Sequence, residues 1–520
     1  MTRATTLAWL LSLVTSVFSD EQLPCVPRQF EYDSVVCVCN ATYCDTLPRP
    51  SPPPAGEFLL FTSDLQGLRL HKTNGYMNME NHISESETAE GAIHFTLDPN
   101  QEYQTVMGWG AAFTDAAAFN ILSLSEPTQE MLLKSYFGSE GLEYNIGRVN
   151  IGGCDFSWRP YTYDDVEGDV DLSFFELQSE DIDYKIPLIH RANAMSGAPL
   201  KLFASPWSAP AWMKTNEDIV GYGHLKTEMY QPWANYFVKF LDGYSGYNLS
   251  FWGLTAQNEP IDGYVPGFFF NCMGWTAKQQ QRWVAENLGP TLEEAGYGDI
   301  KLMILDDQRF NLPGWAETVM SNPDAAKYVD GIAVHIYTDS WVDAERLTQT
   351  NDIFPELFII SSEACEGMGL LPHPQVAPGL WERLEKYAQD IIVDMNHWVR
   401  AWVDWNLALD MQGGPNWAKN FVDAAILVNK ETDEFYKNPM YYALAHFTKF
   451  VPEGAVRIDL TTGDAPDTLV STAFKNPDGS LVVVLLNRSE SSSNVTIGSE
   501  GRGDIAFNVG PRSIHSLLFT

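Results

Sequence analysis

FWGLTAQNEP, residues Phe251 to Pro260, is the stretch from which the fold can be read. A short apolar run, Phe251–Leu254, ends in Gln257, Asn258 and Glu259. A buried strand that closes this way sets a carboxyl group and two amides at the edge of a sheet. Taken alone, Asn-Glu is ordinary loop chemistry. A second carboxyl at an equivalent place changes its meaning, and LFIISSEACEG, Leu357–Gly367, supplies one: Glu363 follows another apolar run in the same manner.

Working outward, such runs recur eight times: Thr105–Trp109, Tyr144–Ile151, Leu200–Ser205, Phe251–Ala256, Ile300–Leu305, Gly331–Ile336, Leu357–Ser362 and Trp398–Trp405. Several are continuously apolar, as strands covered on both faces should be. Helix-like stretches lie between them, among them Pro127–Phe137, with proline at its start, and Gln231–Tyr244. Strand–helix alternation of this length predicts an α/β protein, a (β/α)8 TIM barrel. The competing open doubly wound sheet would carry a Gly-rich phosphate turn, and no such turn is seen.

The flanks differ in character. After about Pro452 come short strands and turns, TLVSTAF, NPDGS and LVVVLL, with Pro-Asp-Gly as a hairpin signal. FLLFTS and AIHFTL near the other end read as strands too. This predicts an antiparallel β-sandwich built from both chain ends, 57–102 plus 453–520, around a catalytic barrel of 103–406 plus 439–452. The proline-rich joint Leu47–Gly56 sets off a small disulfide-stapled β unit, 20–50, joined by about 407–438.

Residues 1–19 read as a signal peptide: Arg3, then the mostly apolar Leu7–Phe18, then a small residue at Ser19. Later segments are too short and polar to span a bilayer, which predicts a soluble protein of the secretory route. Cysteine usage agrees. Cys25, Cys37, Cys39 and Cys44 crowd the start, and their three pairings include one with a very tight Cys37–Cys39 ring. Cys154, Cys272 and Cys365 read as buried thiols. Sequons at Asn40, Asn248, Asn487 and Asn494 are candidate glycosylation sites. Sixty-eight acidic against 32 basic residues give a net charge of −36 at pH 7, which excludes nucleic-acid binding and suits an acidic compartment.

In a barrel of this kind the active site forms at the C-terminal ends of the strands. Read in order, those ends offer Trp109 and Asp115, Arg148 and Asp155, Trp207, Asn258 and Glu259, Asp306, Asp307 and Gln308, His335 and Tyr337, Glu363, and Trp405 and Asn406. Indoles that stack on sugar faces, beside amides and carboxyls that bond hydroxyls, predict a carbohydrate pocket. Two carboxyls are the minimum equipment for hydrolysing a glycosidic bond. Sequence patterns for metal or nucleotide cofactors, such as His-Glu-x-x-His or a Walker loop, do not occur, so no cofactor or metal is expected and His335 reads as neutral scaffolding or a rim group.

The motifs SVVCVCNATYCD, TDAAAFNIL, CDFSWRPYTY, SPWSAPAWMKTN, NEP, LDDQR, KYVDGIAVH, SEAC, DWNLAL, GGPNW and NPMYY resemble those of glycoside hydrolase family 30, in its acid β-glucosidase branch, almost end to end. The resemblance implies a metal-independent retaining mechanism acting on glucosylceramide at acidic pH, with Glu259 as acid/base and Glu363 as nucleophile. It implies a glucose pocket lined by Asp155, Trp207, Asn258, Trp405 and Asn420; Arg148, Gln308, His335 and Tyr337, read from the strand ends, are further candidates to touch substrate. It further implies the pairings Cys25–Cys37 and Cys39–Cys44, a lysosomal destination with a trafficking receptor, and peripheral lipid contact helped by anionic lipid and a saposin-type activator. Tyr337 and Phe268–Phe270 would meet the lipid. The chain departs from the family at Ile336, where relatives place Trp, and in the loops Cys365–Pro372 and Gly263–Phe270. The alternatives are a relative cleaving another β-glucoside, steryl glucoside or xyloside, and a sugar-binding glycoprotein without catalysis. An ionised Glu363 is expected to raise the Glu259 pKa.

Overall fold

Eight parallel strands close into a barrel: β1 (Gly108–Phe113), β2 (Ile146–Ile151), β3 (Lys201–Pro206), β4 (Gly253–Thr255), β5 (Lys301–Gln308), β6 (Gly331–His335), β7 (Phe358–Glu363) and β8 (Val399–Asn406). The structure, a computed structural model, describes residues 22–78, 92–368, 374–463, 465–499 and 501–520. The signal segment expected at 1–19 lies outside these, as does part of the Cys365–Pro372 loop.

Strand periodicity sorts the side chains. In β2, Val149 and Ile151 pack outward into the large core shared with the helices, while Ile146 belongs to an inner cluster. Phe203, Met303, Ala333, Phe358, Ile360, Ala401 and Val403 complete that inner cluster and fill the floor of the barrel. Above it the inward positions turn polar, beginning with Arg148 and Ser205. The surrounding helices show the complementary 3.6-residue pattern. Trp381–Asn396 buries Trp381, Leu384, Tyr387, Ala388, Ile391, Ile392 and Met395. The predicted helices appear as Glu126–Phe137 and Tyr230–Ser245.

Two sequence expectations need correction. The run Thr105–Trp109 is not the first barrel strand: Thr105 ends the long strand Ile93–Thr105 of another sheet, and β1 starts at Gly108. Trp109 therefore sits at the base of β1, its indole donating to the Val451 carbonyl at 2.8 Å, far from the strand ends. In β5 the strand continues past Leu305 to Gln308, so Asp306 and Asp307 belong to the sheet rather than to a loop.

The second sheet has nine strands. Glu57–Asp64 pairs antiparallel with Ser513–Phe519, which joins the two chain ends, and Leu469–Lys475 pairs with Leu481–Asn487 across the Asn-Pro-Asp-Gly-Ser turn. The sheet curls until Asn78 bridges Asp504, enclosing its own core of Phe95, Leu97, Val483, Leu485, Val495 and Leu517. Val482, Val484 and Leu486, on the opposite face, pack into the core shared with the barrel. A third sheet of five strands carries Val35–Asn40 beside Glu434–Lys437. It is held by disulfides Cys25–Cys37 and Cys39–Cys44, the pairings the resemblance implied. Cys154, Cys272 and Cys365 are free and buried.

Of the sequons, Asn248 and Asn494 are exposed and Asn40 is half-buried. Asn487 is only 1% exposed, and its Nδ2 donates to the carbonyls of Ser491 and Gly510 at 2.9 and 2.7 Å. A glycan on that nitrogen would replace one of its two hydrogens and break at least one of these buried bonds, so the folded chain disfavours the site that the sequon suggested.

Candidate active site

At the C-terminal mouth of the barrel Arg148 is the hub. It is wholly buried, and its donors are all directed at protein: Nη1 at Glu363 Oε2, Nη2 at Asn258 Oδ1 (2.8 Å) and Asp306 Oδ2 (2.9 Å), and Nε at Ser205 Oγ (3.2 Å). Its guanidinium lies 5.0 and 5.3 Å from the ring centres of Trp207 and Trp405, which stack on each other at 5.2 Å. Arg148 is thus a clamp beneath the pocket, with four of its five N–H groups held by Glu363, Asn258, Asp306 and Ser205.

Glu259 follows β4 with φ 40°, a left-handed conformation unusual for a non-glycine residue. Its backbone NH is tied to the Asp306 carbonyl at 2.8 Å. Its Oε1 accepts hydrogen bonds from Gln308 Nε2 and His335 Nδ1, each at 3.1 Å. Gln308 therefore steers Glu259. Across the mouth, Tyr337 donates its hydroxyl to Glu363 Oε1 at 2.6 Å, so it serves the carboxylate and not only the rim. Oxygens of Glu259 and Glu363 and a nitrogen of His335 lie within 4.8 Å of one another.

His335 is neither neutral nor at the rim. It is fully buried, with Nε2 3.0 Å from Asp306 Oδ1 and Nδ1 3.9 Å from Glu363 Oε1. A ring bonded to a carboxylate at each nitrogen donates from both, which only imidazolium can do. Burial alone would lower its pKa, but the Glu363 charge and the bonds to Asp306 and Glu259 push it up to about 10. With both nitrogens committed, His335 has no lone pair to offer a metal, so the trio is not a metal centre.

The same charge decides the carboxyls. Burial would raise Glu259, yet the hydrogen bond and charge of His335 hold it below the usual range. Burial prevails at Glu363 and raises it, against His335 and Arg148 and together with the Glu259 charge. The expectation that Glu259 is raised is therefore reversed: the His335 hydrogen bond and charge at Glu259 outweigh its burial. Asp306 is buried as well, but Arg148, His335 and Ser362 keep it firmly ionised.

The pocket wall is made by Asp155, 3% exposed, whose Oδ2 accepts from Asn416 and Asn420 at 3.1 and 3.0 Å. Burial pushes its carboxyl up to about 7 against those two bonds. Asn406 accepts from Thr114 at 2.6 Å. Asp115, expected at the mouth, is buried in an ion pair with Lys185 instead. Sequence reasoning missed Asn416, within GGPNW, and Asp262, three residues after Glu259. Burial and the Glu259 charge raise Asp262 well above its usual value, and its side chain pairs with that of Glu259.

Comparison with known proteins follows this geometry. Residues 106–451 match the glycosyl hydrolase family 30 TIM-barrel domain, and 454–517 match the beta sandwich domain of the same family. The lysosomal acid glucosylceramidase of Mus musculus is 47% identical over 501 residues, 95% of each chain. Among solved structures, SrfJ from Salmonella typhimurium superposes with a TM-score of 0.80 at 27% identity, covering 89% of this chain and 99% of its own. The endo-β1,6-glucanase BT3312 gives 0.75 at 26%, covering 90% and 100%. Paired carboxylates at the mouth of a closed barrel, two matched domains and this identity place the chain in glycosyl hydrolase family 30, as a glycoside hydrolase.

Proposed function

We propose that the protein is a retaining β-glucosidase that cleaves glucosylceramide to glucose and ceramide, with Glu363 as nucleophile and Glu259 as acid/base. The observation that carries this is the facing of the two carboxylates across the mouth, one oxygen of each within 4.8 Å of one oxygen of the other. Retention needs carboxyls about 5–5.5 Å apart, whereas inversion needs roughly 6.5–9.5 Å for an intervening water. The substrate assignment is supported by the likeness to the mouse glucosylceramidase.

In the first step Glu363 attacks the anomeric carbon while protonated Glu259 passes its proton to the departing ceramide oxygen. In the second, Glu259 takes a proton from water, and the hydroxide attacks the glycosyl ester and frees Glu363. Arg148 and Tyr337 hold Glu363 in line for attack. Arg148 occupies Asn258 Oδ1, which leaves the Asn258 NH2 to meet a sugar hydroxyl. Trp207 and Trp405 offer the apolar wall, and Asp155 with Asn420 the polar one. Because His335 holds Glu259 low while burial raises Glu363, the form with Glu259 protonated and Glu363 ionised is the less populated of the two singly protonated forms of the free pair.

The aglycone would lie toward Phe268–Phe270, which pack on one another and leave Phe269 54% exposed, and toward Trp341, 77% exposed. Among the described residues no helix is long and apolar enough to cross a membrane. Lipid contact is then peripheral and depends on anionic lipid and a saposin-type activator. The test is ceramide release from glucosylceramide at acidic pH in neutral and in anionic vesicles, with the anomer of the first-formed glucose read by NMR. β-Glucose and stimulation by anionic lipid support the proposal; α-glucose, or failure to cleave glucosylceramide in either vesicle, refutes it.

A further inference from the structure

Away from the catalytic carboxylates the barrel holds a second acidic cluster. Asp339 follows β6, while Asp390 and Asp394 stand one turn apart on the helix Trp381–Asn396. One carboxylate oxygen from each lies within 4.8 Å of the other two. Calcium-class ions bind oxygens at about 2.3–2.6 Å, so two oxygens of one shell lie no more than about 5 Å apart. The cluster meets that limit. It is not a solvated patch either: Asp394 is 1% exposed.

Its partners are too few. Arg309 Nη1 lies 2.7 Å from Asp339 Oδ2 and 3.6 Å from Asp394 Oδ1, and its other nitrogens are held by the carbonyls of Val342 and Asp339. Trp402 donates its indole NH to Asp390 Oδ2 at 2.8 Å. No donor meets Asp339 Oδ1 or either oxygen of Asp394 in good hydrogen-bond geometry, although the Ser361 hydroxyl stands close to Asp394 and the Asp390 carboxyl close to Asp339. A buried carboxylate without donors is strongly disfavoured unless a cation or a proton compensates it. Of the other charged groups nearby, His335 lies on β6, Glu366 follows β7 and Lys386 is on the same helix. Asp339, Asp390 and Arg309 also border a cavity of about 540 Å³, which gives a hydrated ion a route in and leaves room for its waters.

We infer that Asp339, Asp390 and Asp394 form a binding site for a hard divalent cation of the calcium class, with water from this cavity completing its shell. The ion ties the segment after β6 to the helix Trp381–Asn396. That segment carries Tyr337, so occupancy steadies the donor to Glu363.

The test titrates terbium into metal-stripped full-length protein at neutral pH, exciting tryptophan, with Trp402 as the energy donor beside Asp390. Saturable sensitised emission, reversed by calcium and accompanied by a calcium-dependent rise in melting temperature, is expected. Asp394→Asn and Asp390→Asn each weaken binding about tenfold or more, while Glu356→Gln on the exposed surface leaves it unchanged. Near-ultraviolet circular dichroism identifies folded variants, and either one suffices. Emission that never saturates, or that persists unchanged in a folded variant, means diffuse attraction by the acidic surface and overturns the site. Absence of any binding overturns it equally.

Discussion

Replacing His335 by glutamine removes a positive charge 3.1 Å from Glu259 and 3.9 Å from Glu363. At an effective dielectric of about 20, unit charges at these separations interact by about 5 and about 4 kcal/mol. Taken whole, the larger figure is about 4 pK units at Glu259. The realised change is smaller, because Asp306 loses its Nε2 partner and takes up a proton that restores part of the balance. A rise of about 1–2 units at Glu259, and somewhat less at Glu363, is expected. The two carboxyls titrate as a pair, so both limbs of the bell-shaped pH profile move together. The assay is kcat/KM against pH with a soluble aryl β-glucoside, which removes lipid presentation from the measurement. A displacement of the whole profile to higher pH by about 1–2 units is the expected outcome. The larger rise at Glu259 also enriches the form with Glu259 protonated and Glu363 ionised. A profile that stays in place would mean that His335 is neutral, and one that moves toward acid would reverse the electrostatic order of the site.

Glu363→Gln is expected to lower turnover about 10³-fold or more without loss of fold, and Glu259→Ala to lower it about 10²–10⁴-fold, most for poor leaving groups. Azide should rescue Glu259→Ala and give the β-azide; an inverted azide from that variant would exchange the two roles. Stability should fall as pH rises from about 6.5 to about 8: Asp155 and Asp404 near 7 and Asp339 near 8 are raised above their unfolded values, so the stability they confer is complete in acid and lost through those pKa values. His515, held down to about 4 by burial, acts the other way and only below the unfolded histidine pKa, so a melting temperature higher at pH about 7.5 than at about 6 would contradict this. Peptide mapping of the protein expressed through a glycosylating secretory pathway should find Asn487 without a glycan; full occupancy there in folded protein would show that the burial of Asn487 is wrong.

The amino-acid sequence by itself determined the barrel, because apolar strand-like runs, several of them continuously apolar as strands covered on both faces are, alternate with helix-like stretches along the chain, even though the first run was misplaced. It also determined which residues stand at the strand ends, Glu259 and Glu363 among them, since a polar group breaking an apolar run is a local signal. What it left undecided is what each polar group faces. Trp109 reads like any strand-end tryptophan until Gly108 is seen to open the strand rather than close it. Asp306 and Asp307 are neighbours of one type, yet a bulge between Leu305 and Asp307, with Leu305 and Asp306 both left-handed, sends Asp306 to Arg148 and His335. His335 looked neutral because its charge depends on Glu259, Asp306 and Glu363, which come from three other segments of the chain. Charge and pKa are sums over neighbours in space, and only the closed barrel brings those neighbours together.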